Sequence, residues 1–358
     1  MRDFVKPFRD SSRIKELQEK LLSFTFGEEV KIMEVCGTHT MQIHRFGIHQ
    51  MLPPEVKLIS GPGCPVCVTP NEYIDFAVEL ARAGLTVTTF GDMVRVPGSY
   101  SSLEKARAEG ADVRVVYSPM DSYEMSIQQS KPVVFLAIGF ETTAPAVAAT
   151  VQRARKEGRT NFFVLPGGKL VPPALRALSA DPELKISGFL LPGHVSVILG
   201  RKDYLFLREL GKPGVIAGFE PVDILQSIII LLEMIKDGRA EVINNYPRAV
   251  REEGNLKAKA ILEEVFTPGD SRWRGLGSIP RSGLFLREGY SAHDGFRAFS
   301  VKPPPAREHP GCRCGDVLKG LINPPECPLF RTVCSPENPL GPCMVSSEGS
   351  CSAWFKFG

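Results

Sequence analysis

Val30-Lys31-Ile32-Met33-Glu34-Val35 runs directly into Cys36-Gly37-Thr38-His39-Thr40, and this stretch sets the pattern of the chain. A short β-branched run ends in a turn of small and polar residues, and a helical stretch follows. The same succession recurs. Residues 56–60 lead into Gly61-Pro62-Gly63-Cys64-Pro65-Val66-Cys67, residues 85–90 into Gly91-Asp92, and residues 113–117 into Ser118-Pro119. It then restarts. Residues 133–138 lead into Gly139-Phe140-Glu141-Thr142-Thr143, and residues 162–165 into Pro166-Gly167-Gly168-Lys169. Residues 186–191 lead into Pro192-Gly193-His194-Val195-Ser196, and residues 215–217 into Gly218-Phe219-Glu220-Pro221. Strands alternating with helices predict parallel sheets with helices on their faces. Two such units are expected, over 25–120 and 121–238, each of ordinary domain size.

Outward from this core the signals change. Ser11 or Ser12 is placed to cap a first helix that puts Ile14, Leu17 and Leu21 on one face. Beyond Arg239 strand-like runs thin out, and Pro303-Pro304-Pro305 opens a stretch rich in Pro, Gly and Cys. Such a composition buries too little apolar surface to fold unaided, and a bound metal would supply the missing stabilisation.

The 358 residues carry a formal net charge of +3, with 43% hydrophobic and 23% charged residues. With no basic tract, nucleic acid is not an indicated partner. The longest apolar run, at 228–232, is far short of a membrane span. Met1-Arg2-Asp3-Phe4 lacks the apolar core of a secretory leader. A cytoplasmic location is expected, and there thiols stay reduced.

Nine cysteines are therefore the main anomaly, since in a reducing compartment they indicate metal ligation or catalysis. Six of them form the series Cys312-x-Cys314-x12-Cys327-x6-Cys334-x8-Cys343-x7-Cys351. Four thiolates hold a [4Fe–4S] cluster. The two left over would then form a pair beside it. A zinc site is the competing reading, although only Cys312-x-Cys314 is closely spaced and zinc hooks are usually wider; disulfides alone are a third. Cys64-Pro65-Val66-Cys67 is a C-x-x-C turn at a helix N-terminus, a context that favours thiolate and suits a redox pair. Half of a zinc hook, or two small buried residues, is the bland alternative. Cys36 follows its apolar run into a Gly/Thr/His turn, which fits a metal ligand or nucleophile as well as a core residue. Glu141 and His194 also fall at strand ends, where open α/β sheets bind ligands. Glu220 shares that placement. A helix N-cap charge alone would account for Glu141. Gly167-Gly168-Lys169 lacks the full spacing of a phosphate loop.

Taken together and in this order, the Cys-Gly-Thr-His-Thr, Gly-Pro-Gly-Cys-Pro-Val-Cys, Gly-Phe-Glu-Thr-Thr, Pro-Gly-His-Val-Ser and Gly-Phe-Glu-Pro segments and the six-cysteine tail resemble the HypD family of hydrogenase maturation factors. The resemblance implies two similar Rossmann-like α/β domains plus a small, Cys-rich, mainly helical or irregular iron–sulfur domain made from 1–24 and 239–358. It implies a scaffold on which the Fe(CN)2CO unit of [NiFe]-hydrogenase is built, with a HypC-type chaperone and with HypE. HypF and the hydrogenase large subunit are indirect partners. The iron ligand would correspond to Cys36 and the [4Fe–4S] ligands to Cys312, Cys327, Cys334 and Cys351. Cys314 and Cys343 would correspond to a disulfide beside the cluster, and Cys64 and Cys67 to a thiol pair relaying electrons. Glu141 and His194 would act as hydrogen-bond donors or proton carriers. Cyanide carried as a thiocyanate on HypE needs two electrons to leave, and a dithiol supplies electrons in pairs. A thiol–disulfide oxidoreductase of the ferredoxin:thioredoxin reductase type, without iron cargo, is the alternative, and it would have no use for Cys36.

Overall fold

The computed structural model describes residues 5–358; Met1-Arg2-Asp3-Phe4, read above for a missing leader, lies outside the described residues. Each β-branched run becomes a strand: β1 (Val30–Glu34), β2 (Val56–Ser60), β3 (Thr86–Thr89), β4 (Val113–Val115), β5 (Val133–Gly139), β6 (Phe162–Gly168), β7 (Gly188–Pro192) and β8 (Gly214–Ala217). A short β9 (Val242–Asn244) follows. Every pairing among these strands is parallel. Parallel neighbours need crossover connections, and the intervening helices provide them while covering both faces. Hence β5 and β7 are buried at every position instead of alternating.

The strands form two sheets, one ordered β2-β1-β7-β8-β9 and the other β4-β3-β5-β6. This differs from the sequential halves expected over 25–120 and 121–238. The chain lays down β1 and β2, crosses to build the whole second sheet, and returns to complete the first. The runs are alike as short β-branched stretches, although β2 and β4 also expose residues, so sequence alone does not say which strand neighbours which. Packing of the helix faces decides it.

The segments grouped above as 1–24 and 239–358 are also distributed differently. The helix Ser11–Leu22 is capped by Asp10, whose Oδ1 accepts from the Arg13 N–H at 2.9 Å, and not by either serine. It packs on the helix Pro221–Lys236 and places Leu21 in the core of the first sheet. The helix Leu256–Val265 packs on Ala144–Lys156, in the second unit. An antiparallel hairpin of β10 (Phe266–Trp273) and β11 (Gly277–Leu286) contacts β6, with Phe266, Leu284 and Leu286 in the second sheet's core. Its strands carry Pro268, Gly269, Pro280 and Gly283, which break the strand pattern and hid it in the sequence. The irregular cysteine-rich region is confined to the chain beyond the short helix Gly295–Ala298, and it ends in the helix Ser350–Phe357, packed on Gly37–Arg45. Among the described residues no helix is long and apolar enough to cross a membrane.

If the N-terminal helix is a structural part of the first sheet's unit, Leu21→Ala should destabilise that unit by about 2–5 kcal/mol, the usual cost of emptying a fully buried leucine site. Urea unfolding with hydrogen exchange should localise the loss to β1 and the helix Pro221–Lys236. Exchange confined to the cysteine-rich tail would contradict this assignment.

Candidate functional site

The first sheet brings four turns together along its carboxyl edge. In the order of the strands they follow β2, β1, β7 and β8, and they carry Cys64 and Cys67, Cys36, His194, and Phe219. The strand order reverses between β1 and β7, the position at which doubly wound sheets open a crevice. Cys36 and His194 flank it.

Cys36 precedes the helix Gly37–Arg45 as its N-cap residue and is buried. Its backbone N–H donates to Glu34 Oε2 at 3.1 Å, and the other oxygen of Glu34 accepts from the Thr40 hydroxyl. Burial pushes the Glu34 carboxyl up to about 8, so it is protonated at neutral pH. Burial, and then the neighbouring Glu348 carboxylate, pushes the Cys36 thiol up to about 12. Unliganded, it is a thiol; a bound cation would have to displace the proton. His39 is fully buried, with Nε2 at 2.9 Å from the Gly218 carbonyl. Burial lowers it to about 4, so the imidazole is neutral. His194 sits at the rim, stacked on Phe219 with ring centroids 4.0 Å apart, and partial burial lowers it too.

The Cys64–Cys67 turn lies against the Cys36 turn. Gly37 N–H donates to the Gly63 carbonyl at 3.1 Å, and Gly61 N–H to the Glu34 carbonyl at 2.8 Å. A Cβ on Gly63 would fall 2.2 Å from the Cys36 nitrogen, so only glycine permits this approach. Cys64 and Cys67 are joined as a disulfide, with Cα atoms 5.3 Å apart.

Glu141 follows β5, on the second sheet, and is fully buried. Oε1 accepts from the Val171 N–H at 2.9 Å, while Oε2 has no hydrogen-bond partner among the described residues. Burial raises this carboxyl to about 8. The nearby Tyr204 hydroxyl, also buried, lies 3.2 Å from Ser196 Oγ in the His194 turn. Glu220, also at a strand end, instead pairs with Arg9. Lys169 is structural, its Nζ donating to Ser271 Oγ and the Arg272 carbonyl at 2.6 and 2.7 Å.

The six tail cysteines line a single small cavity of ≈ 20 Å³, together with apolar residues such as Val317, Leu329, Phe330 and Met344. The Sγ atoms of Cys314 and Cys343 are 2.9 Å apart. Hydrogen bonds from Cys312 and Cys343 favour thiolate at Cys314. Among the described residues no three or more His, Cys, Asp or Glu side chains gather where they could hold a metal ion. The thiols ring a cavity instead of meeting at a point, and such a donor set fits a polynuclear cluster bound by thiolates. The short helix Pro342–Val345, which carries Cys343, packs on the helix Pro65–Val68, which carries Cys67.

Two acids here escaped the sequence reading. Glu34 had a signal, since a carboxylate inside an apolar strand run calls for a reason. Glu348 had none. It arrives from the tail to accept from Thr38 Oγ1 at 2.6 Å, over the Cys36 turn. Two residues earlier, Ser346 donates to Asp92 Oδ2 at 2.9 Å, on the other unit.

The fold and site define a cysteine-rich, doubly wound α/β protein whose chemistry-bearing turns share one sheet edge. The HypD family profile, described as "Hydrogenase formation hypA family", matches residues 11–358. The hydrogenase maturation factor HypD of Azotobacter vinelandii is 45% identical, the match covering 99% of this chain and 97% of that protein. The HypD of Escherichia coli (strain K12) is 43% identical, covering 99% and 98%. A putative hydrogenase expression/formation protein of Methanocaldococcus jannaschii is 43% identical, covering 96% and 95%. The chain belongs to the HypD family of hydrogenase maturation factors.

The two raised carboxyls give a pH dependence. In the unfolded chain each ionises near its ordinary 4.5, and in the folded protein only near 8. The folded state thus retains protons that the unfolded state has released, and stability falls as pH rises from about 4.5 towards 8. Glu141→Gln removes one of the two contributions. Its Tm should decline less than that of the unmodified protein between about pH 5 and 8, and parallel curves would contradict the burial account.

Proposed function

We propose that this maturation factor is the scaffold and redox partner on which the Fe(CN)2CO unit is assembled, together with a HypC-type chaperone and HypE. The carrying observation is continuity. The Cys36 turn packs on the Gly61-Pro62-Gly63 turn, the Cys67 helix packs on the Cys343 helix, and Cys343 lines the six-thiol cavity. A protein that only exchanged disulfides would not need Cys36 at the end of that path.

Cys312, Cys327, Cys334 and Cys351 would hold a [4Fe–4S] cluster, which supplies electrons singly when bound. Cys314 and Cys343 are close enough to store an electron pair as two thiols. Thiol–disulfide exchange passes that pair on to Cys64 and Cys67. Those two thiols then attack the thiocyanate carried on HypE. The S–CN bond breaks, cyanide leaves, the HypE thiol is regenerated, and Cys64–Cys67 closes as a disulfide. Cys36 offers the cargo iron a soft sulfur ligand. Around it the neutral His39 and His194 and the protonated Glu34 hold protons without adding charge, and Glu348 adds the one carboxylate at the turn.

Two experiments test this. Protein purified anaerobically should contain about four irons per chain, as one cubane requires. Alanine at Cys312, Cys327, Cys334 or Cys351 should bleach it, while Cys314→Ala or Cys343→Ala should leave it brown. Stoichiometric zinc without iron would refute the cluster. Cys36→Ala should keep the fold and the colour but lose the cyanide and CO infrared bands in the complex with the HypC partner, and hydrogenase in such cells should stay immature. Bands at normal occupancy in Cys36→Ala would move the iron to another cysteine.

A further inference from the structure

A buried guanidinium stands between two of the cysteine pairs. Arg274 lies in the turn joining β10 to β11 and is 5% exposed. Its backbone N–H donates to the Val68 carbonyl at 2.8 Å. Its Nε donates to the Thr69 carbonyl at 3.0 Å, and its Nη2 to Asn71 Oδ1. All three acceptors directly follow Cys67 in the chain. On the other side the same turn meets the tail. Gly275 is so close to Gly315, the neighbour of Cys314, that a Cβ on Gly275 would fall 2.5 Å from the Gly315 Cα. The nearest carboxylate, Glu308, is 3.9 Å from Nη1, and Asn71 donates in turn to the Arg307 carbonyl.

Burying a cation among carbonyls is costly, and a role in stability alone would be served better by an apolar side chain. What the planar fork provides is direction. It fixes the segment after Cys67 to the hairpin tip, and the hairpin tip fixes the segment around Cys314. Disulfide exchange needs that kind of control, because the attacking sulfur must approach along the axis of the bond it breaks.

We infer that Arg274 is a positioning residue that holds the Cys64–Cys67 turn and the Cys314/Cys343 pair in register for exchange; this rests on the relay proposed above. In the step itself, a thiolate of the Cys314/Cys343 pair attacks the Cys64–Cys67 disulfide and forms a mixed disulfide. The second thiolate of the attacking pair then displaces it. Two electrons and two protons move to Cys64 and Cys67, and Cys314–Cys343 closes as a disulfide. Arg274 touches none of the reacting sulfurs in this account and acts through the segments it ties.

The test uses the full-length protein, purified anaerobically and oxidised at both pairs. One equivalent of dithiothreitol per chain is added, the reaction is quenched with acid at intervals, and mass spectrometry of alkylated cysteines reads which pair holds the electrons. In the unmodified protein the distribution should settle quickly to the ratio set by the two midpoint potentials. In Arg274→Lys and Arg274→Gln it should settle roughly 10- to 100-fold more slowly, the scale of effect expected from a misplacement of about an ångström. Lysine should not rescue, since it keeps the charge but loses the fork. In Arg274→Lys, which keeps the positive charge that acts on Cys314, the midpoint potential of each pair, measured in redox buffers, should not move, which distinguishes lost register from a general disturbance of the fold. Gly275→Ala strains the left-handed turn at φ +78° and pushes the hairpin away from Gly315 with the guanidinium intact, and it should slow exchange in the same way; it carries the test if the Arg274 variants do not fold. Settling at the original rate in these variants overturns the role of Arg274. Electrons that never redistribute between the pairs in the unmodified protein overturn the relay itself.

Discussion

The backbone of Gly63 rests on the backbone of Cys36 with no room for a side chain between them, and the arrangement of the site depends on that contact. β1 and β2 are parallel neighbours in register from Val30↔Val56 to Glu34↔Ser60. The turn after β2 would have to move away from Cys36 if residue 63 carried a Cβ. Because Gly63 carries none, the single cysteine and the C-x-x-C turn are held as one unit, clamped further by Gly37 N–H to Gly63 O and Gly61 N–H to Glu34 O. β7 then pairs on the other side of β1 and brings His194 alongside. The crevice is thus a consequence of strand order and of one missing methyl group.

Around that contact the protein buries ionisable groups that a stable core would avoid. Glu34 and Glu141 are both inaccessible, and burial holds both protonated near neutral pH. Glu34 is well partnered, by the Cys36 amide and the Thr40 hydroxyl. Glu141 leaves one oxygen without a partner, and such an atom costs about 1–3 kcal/mol when buried. Perturbed and under-satisfied acids of this kind concentrate at working sites. The two neutral imidazoles nearby complete a surrounding that is polar yet carries little charge of its own.

The tail is held by contacts and not by a core of its own. Glu348 reaches Thr38 on one unit and Ser346 reaches Asp92 on the other, so a short segment spans both sheets. Trp354 packs against His44 and His49 at centroid distances of 4.7 and 5.9 Å, fastening the last helix to the one that begins at Cys36. Five of the six thiols that line the cavity precede these anchorage points in the chain, and Cys351 lies between them. Its apolar satellite cluster is small, built on Phe330, Cys334 and Met344. A region so poor in core stands to gain much of its rigidity from whatever its thiols bind.

The sequence alone determined the local elements and where chemistry sits on them. β-branched runs, glycine–proline turns and helical stretches are short-range signals, and they located eight parallel strands and put Cys36, Cys64, Cys67, Glu141 and His194 at strand ends. The clustered tail cysteines were equally legible as a binding segment. Tertiary structure alone decided which strands are neighbours, because the runs are alike in length and β-branched composition and none carries a mark of its partner. It also decided that the first helix belongs to the first sheet and that the hairpin at 266–286 completes the second unit. Glu348 and Arg274 are invisible in sequence for the same reason. Their partners lie some two to three hundred residues away in the chain, at Thr38 and at Val68 to Asn71, and no local pattern encodes a contact over that distance. Proximity of that kind exists only once the two sheets have packed and the tail has closed over them.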